Sequence, residues 1–260
     1  MSVRRACELF QLSRRAYYYQ PQVSNDGELK AALMQLARRY PRYGYWKLYH
    51  LLRQQDWPVN HKKVYRLYHE LGLKMRRKSK KRLPERVKQP LTIAQQPNVY
   101  WSLDFMSDSL CSGRRFRTLN IVDDFNREAL VIEIDTSLPA ARVIRVLEQL
   151  NEMRGLPRYL RVDNGSELTS HLLKEWAENK GIQLLFIQPG KPTQNAYIER
   201  FNGSYRREVL NAYEFTSLAE VKQMTERWIQ EYNNERPHAS LNYLSPSQYL
   251  KSYYGENSLS

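Results

Sequence analysis

Gln194-Asn-Ala-Tyr-Ile-Glu-Arg-Phe-Asn-Gly-Ser-Tyr-Arg-Arg-Glu-Val-Leu210 carries two patterns at once. At 3.6 residues per turn, Ile198, Phe201, Tyr205 and Val209 line up as an apolar stripe that would fasten a helix to a core. Glu199, Asn202 and Arg206 fall on the neighbouring stripe, because offsets of three and seven residues return to nearly the same side. One carboxylate and one guanidinium therefore point into the same space. The preceding Gln188-Pro-Gly-Lys-Pro-Thr193 stops one element before the next begins. A Glu and an Arg seven apart on an isolated helix form an ordinary surface pair, so the meaning of this stretch depends on what lies upstream.

Arg161-Val-Asp-Asn-Gly-Ser-Glu167 ends a short apolar run, and Trp101-Ser-Leu-Asp-Phe105 lies inside an earlier one. Asp104, Asp163 and Glu199 are the candidate trio, with 35 residues between the last two. Spacing alone says little in a chain holding 27 acids in 260 residues. The words around the acids say more. Together these segments resemble the catalytic core of insertion-sequence transposases and retroviral-type integrases, a superfamily with a ribonuclease H-like fold and an Asp, Asp, Glu triad. Asn195-Ala-Tyr-Ile-Glu-Arg-Phe-Asn202 and Tyr232-Asn-Asn-Glu-Arg-Pro-His238 resemble the bacterial transposases encoded as the second of two overlapping reading frames. The resemblance runs from about Arg4 to Tyr249.

Charge divides the chain. Residues 1–97 hold 22 Lys and Arg against 6 Asp and Glu, whereas residues 98–260 hold 19 against 21. A basic part that grips a polyanion and a near-neutral part that acts on it is the expected arrangement. Two cysteines, Cys7 and Cys111, build neither a disulfide framework nor a structural zinc site. No apolar run is long enough to span a bilayer and the first twenty residues lack a signal peptide's apolar middle; a cytoplasmic, nucleoid-associated protein is expected.

The fold class expected is α/β: a ribonuclease H-like mixed five-stranded sheet flanked by helices, preceded by an all-α helix-turn-helix region. Val3 to Phe10 and Ser13 to Tyr19 outline two short helices, which suit either a helix-turn-helix with Arg14 and Arg15 opening its second helix or a plain helical hairpin. A trihelical unit follows. Leu29, Ala32, Leu33 and Leu36 mark its first helix; Leu48, Leu51, Leu52 and Gln55 its second; Val64, Leu67, Tyr68 and Leu71 its third, capped by Asn60 and stopped by Gly72. Lys62, Lys63 and Arg66 lie on the outer side of the third, the face a helix-turn-helix offers to the major groove. Lys74 to Lys88 carries nine Lys or Arg and one acid, including Arg76, Arg77 and Lys78, and reads as a tether or a cationic strap along phosphates.

Beyond it, Val99–Phe105, Thr118–Val122 and Ala129–Ile134 read as an antiparallel meander. Then come a helix over Val143 to Leu150, a strand at Tyr159–Val162, a helix marked by Leu168, Leu172 and Trp176, and a strand at Ile182–Ile187. Leu218, Val221, Met224, Trp228 and Tyr232 mark a final helix, followed by turns at Asn233–His238 and Leu244–Pro246. The divisions expected are a helical segment at 1–22, a helix-turn-helix DNA-binding domain at 26–75, a basic linker at 76–96, a catalytic core at 97–250 and a tail at 251–260.

Three converging carboxylates repel unless a cation neutralises them, and an all-oxygen donor set suits Mg²⁺, then Mn²⁺. The resemblance implies two such ions held by Asp104, Asp163 and Glu199, with phosphodiester cleavage at element ends and attack of the freed 3′-hydroxyl on a second phosphodiester. It also implies phosphate contacts from Arg206, Asn202, Asn195 and Lys191. Asn164 and Gly165 are expected to shape the turn at Asp163. Of the other acids, Asp123 and Asp124 read as turn caps and Glu167 as a first-turn acid. The partners implied are double-stranded DNA, both element ends and target, a first-frame protein supplied separately or by fusion, and further copies of the chain on DNA. A DNA-binding regulator with an inert core and a ribonuclease H-type nuclease are the alternatives.

Overall fold

The computed structural model describes residues 2–19, 26–75, 94–187 and 195–257. Lys191, Arg76, Arg77, Lys78 and most of the basic run at 74–88 lie outside the described residues.

Two short helices, α1 (Val3–Leu9) and α2 (Arg14–Tyr17), are capped by the hydroxyls of Ser2 and Ser13, which accept from Arg5 N and Ala16 N. Arg14 and Arg15 are exposed. Helices α3 (Gly27–Arg39), α4 (Tyr45–Gln54) and α5 (His61–Glu70) bury the expected leucines on a core of their own, with Leu33, Leu52, Val64 and Leu67 fully enclosed. Asn60 caps α5 through Lys62 N at 2.9 Å, and Gly72 closes it at φ +65°.

The sheet runs β3-β2-β1-β4-β5, from β1 (Tyr100–Ser109), β2 (Arg115–Asp123), β3 (Ala129–Asp135), β4 (Tyr159–Val162) and β5 (Gln183–Phe186). The first three pair antiparallel; β4 and β5 join β1 in parallel. β1 and β2 run further than the sequence suggests, through polar residues up to Ser109 and from Arg115, because their ladder continues where apolar alternation has faded.

Alternation along β1 divides the two sheet faces. Trp101 and Leu103, with Leu119 and Ile121 of β2, pack beneath α6 (Ala140–Arg154) and α7 (His171–Asn179). Ser102, Asp104 and Met106 face the other way, towards α8 (Ala196–Tyr205), a π-helical turn at Arg206–Leu210 and α9 (Leu218–Asn234). The Ile198, Phe201, Tyr205 and Val209 stripe is the buried seam of that face.

Two elements depart from expectation. α7 begins at His171 behind its Ser170 cap, so Leu168 enters the core from the preceding turn, Leu173 and Ala177 point inward, and Leu172 is exposed. α9 is not the last helix: α10 (Pro246–Asn257) follows and sets Tyr249 and Tyr253 against Phe125. Among the described residues no helix is long and apolar enough to cross a membrane.

Candidate active site

β1 and β4 are neighbours in parallel register, with Ser102 opposite Arg161. Two residues further the same register sets Asp104 against Asp163, just past the end of β4. Glu199 reaches this end of the sheet from the exposed side of α8. Asp104 senses both: burial, then the charge of Asp163, and less strongly that of Glu199, push its carboxyl up to about 6.

Two of the three acids, Asp104 and Asp163, are held by short-range donors. Asp104 Oδ1 accepts from Phe105 N at 2.8 Å and its Oδ2 from Asn202 Nδ2 at 2.7 Å. Asn202 Oδ1 in turn accepts from Asn120 Nδ2 at 2.6 Å, and Asn120 is the cross-strand partner of Asp104 on β2. Asp163 Oδ1 accepts from Gly165 N at 2.9 Å. A Cβ built on Gly165 would come within 3.0 Å of that same oxygen, so the tight turn leaves little room for a side chain. Asn164 fastens the turn to the end of β5 through Ile187 O at 2.8 Å.

The rival acids have other partners. Asp124 takes a 2.6 Å hydrogen bond from Ser102 Oγ and pairs with Arg161 at 3.3 Å. Asp123 accepts from Asn98 N and Phe125 N, the turn-capping geometry, and faces Arg154. Glu167 pairs with Arg117 and lies in the turn ahead of α7, not in a helix's first turn. Asp108 pairs with Arg206. By contrast Asp104, Asp163 and Glu199 make no ion pair among the described residues. Three uncompensated carboxylates with oxygen donors only fit a hard divalent cation. Among the described residues no three His, Cys, Asp or Glu already form a closed ligand set: Asp104 feels the charge of the other two acids, yet the three do not converge on a common point.

The expected phosphate contacts divide. Arg206 donates to Asp108 Oδ2 at 3.1 Å and to Ser107 O at 2.9 Å. Asn202 is 8% exposed with both ends of its amide engaged inside the protein, so it supports Asp104 instead of projecting towards solvent. Asn195 is buried at the start of α8. In the helical region Lys63 and Arg66 both reach the buried Asp26, at 2.6 and 2.7 Å, while Lys62 stands exposed. The support given to Asp104 by Asn120 and Asn202 escaped the sequence reading. Asn202 had a visible signal, its place on the Glu199 stripe, but Asn120 sits unmarked in a β-type run.

Residues 94–192 and 180–246 match two models of the integrase core domain, and residues 24–81 match an HTH-like domain. The uncharacterized 31.7 kDa protein of insertion element IS407 from Burkholderia multivorans is 43% identical over 250 residues, spanning 96% of this chain and 90% of that protein. A putative transposase for insertion sequence element IS150 from Escherichia coli is 25% identical over 82% of this chain and 79% of that protein. The cryo-EM structure of a simian T-cell lymphotropic virus intasome in complex with the PP2A regulatory subunit B56 gamma shares the fold. Its TM-score is 0.55, with 14% identity over 84% of this chain and 74% of that one.

Proposed function

Because this chain belongs to the insertion-sequence transposases of the retroviral integrase superfamily, whose work is DNA transposition and integration, we propose that it cleaves phosphodiesters at the ends of an insertion sequence and joins the freed 3′-hydroxyls to new DNA. The observation that carries this reading is the sorting of charge at the sheet end. The neighbouring acids are ion-paired, and Asp104, Asp163 and Glu199 are not.

Asp104, Asp163 and Glu199 would hold Mg²⁺ or Mn²⁺, two ions in all, which when bound supply activation of the attacking oxygen and stabilisation of the leaving one. The chain's own residues prepare that position. The Phe105 N–H and the Asn202 amide both donate to the Asp104 carboxylate, a form of support that favours its charged state against burial. The Gly165 N–H fixes Asp163. Arg206, with Lys191, receives a substrate phosphate, which competes with Asp108 for its planar fork. Lys62, Arg14 and Arg15 meet DNA from the helical region. A first-frame protein and assembly of several copies on DNA complete the reading, since no long heptad segment is visible in the sequence.

The test is in cells that carry the gene with both element flanks. PCR across joined element ends should give product with wild-type protein and none with Glu199→Gln. Joined ends that persist in the variant would remove Glu199 from the site, and the regulator reading would replace this one if metal-dependent nicking of DNA were also absent.

A further inference from the structure

A cavity of about 610 Å³ with Glu199 in its lining, but neither Asp104 nor Asn202, is not used by the chemistry above. Four separate parts of the chain contribute cations to it: Lys47 from α4, Arg127 from the turn between β2 and β3, Arg200 and Arg207 from α8 and the π-helical turn, and Arg236 from the segment after α9. Gly203 lets the helix surface recede there, with only the end of Arg207 within 3.5 Å of where a Cβ would be.

Most of this positive charge is uncompensated. Arg236 is buried and spent on Glu208, Ser204 and the Tyr43 hydroxyl. Lys47, Arg127, Arg200 and Arg207 have no carboxylate within ion-pair distance among the described residues. Lys47 rests its ammonium over the Tyr43 ring at 4.3 Å, and Arg127 lies 3.5 Å over the ring of Tyr197. Ring faces hold a cation in place without cancelling its charge. Burial first, then Arg236, with Arg207 and Arg200 behind it, push the Lys47 ammonium down to about 7 against the opposing charge of Glu208. Such an arrangement is costly for a folded protein to keep empty of anions.

We propose that this cavity is a DNA-backbone subsite, seating a phosphate of the strand that continues past the scissile position, with Glu199 on the wall the two sites share. This rests on the transposase reading above. It adds a positioning function for Lys47, Arg127, Arg200 and Arg207, and it makes the helical region and the catalytic core two halves of one strand-binding surface. Planar guanidiniums that can donate to a phosphate as a fork, beside the Lys47 ammonium, are the donor set such a backbone needs.

The test is binding by the full chain in EDTA, where no cleavage occurs, to a fluorescent duplex of the element end with its flank, followed by anisotropy across a range of salt. Each phosphate contact contributes about 0.9 to the slope of log affinity against log salt. Arg200→Gln with Arg207→Gln, which removes two sides of the seat for that one phosphate, should reduce the slope by about 0.9 and Lys47→Met by no more than that. Arg200→Lys with Arg207→Lys, which keeps the charges, should bind close to wild type and guards against a folding defect. Arg145→Gln, exposed on α6 across the sheet, should leave the slope unchanged. An unchanged slope in the double Gln variant, or an equal loss in Arg145→Gln, overturns the subsite and leaves the transposase reading standing. A wild-type chain without salt-dependent DNA binding would overturn both.

Discussion

Asn202 links two acts of folding. Its position on α8 follows from the apolar seam, because Ile198, Phe201 and Tyr205 dictate how the helix lies on the sheet. Its amide then has one environment open to it: Asn120 offers an N–H and Asp104 offers an oxygen. A buried hydrogen bond to a charged group is worth about 1.5–3 kcal/mol, and removing one partner leaves the other unsatisfied. Asn202→Ala is therefore expected to lower stability by about that amount and to raise the Mg²⁺ concentration needed for nicking by roughly 10- to 100-fold, the range for groups that orient a metal's ligands. Thermal melting and a metal titration of nicking check it; a variant that loses stability with an unaltered metal requirement would make Asn202 structural only. Asp104 and Asp163 stood out because Trp-Ser-Leu-Asp and Val-Asp-Asn-Gly resemble the family's motifs, and the register of β1 and β4 sets the two side by side. Asn120 was not legible, because its meaning lies in the cross-strand register with Asp104, which a linear pattern does not carry.

Among the elements, amphipathic helices and the strand order were readable, since an apolar stripe at period 3.6 and alternating helix and strand have few packing solutions. α10 shows the limit. Its residues include three tyrosines and a glycine in no clean stripe, so periodicity is silent, and Leu244-Ser-Pro reads as a turn. The signal that was present is at its start. Ser245 Oγ accepts from Gln248 N at 3.3 Å, Gln248 Oε1 accepts from Ser245 N at 2.9 Å, and Pro246 occupies the first helical position. That is a reciprocal capping box with proline where its missing N–H costs nothing. Gln248 Oε1 also accepts from Gln54 on α4 at 3.2 Å, tying the last helix to the helical region. Replacing an N-cap serine by alanine costs about 1 kcal/mol. Ser245→Ala is expected to lower the melting temperature by about 2–4 °C. A melting temperature unchanged in differential scanning calorimetry would mean that the cap contributes little to α10.

The largest scale was the least legible, because the contacts joining the helical region to the core span nearly 200 residues. Arg39 reaches Glu235 at 3.0 Å, the Tyr40 hydroxyl reaches Glu235 at 2.6 Å, and His50 stacks on Tyr243 with centroids 3.9 Å apart. No local pattern announces such pairs. His238 reports on the assembled whole, for its imidazole is edge-on to Tyr232 and faces cations from three separate parts of the chain. Burial first, then Arg236, Lys47 and Arg127, push it down to about 2, far below its ordinary 6.5. The folded protein thus keeps His238 neutral at a pH where the unfolded chain protonates it. With more protons bound in the unfolded state, stability rises with pH; the contribution is fully present above about pH 6.5 and is lost as pH falls below it. One such proton changes stability by at most about 1.4 kcal/mol per pH unit. Asp104 and Asp124, each raised to about 6, act with opposite sign: the fold takes up their protons first and gains stability as pH falls through that range. The total curve therefore mixes signs, and the informative quantity is a difference. The stability gap between wild type and His238→Gln, from chemical denaturation, should shift against wild type by up to about 1.4 kcal/mol between pH 6 and pH 5. A gap independent of pH would mean that His238 is not enclosed by those cations in solution, and that the helical region does not dock on the core as described.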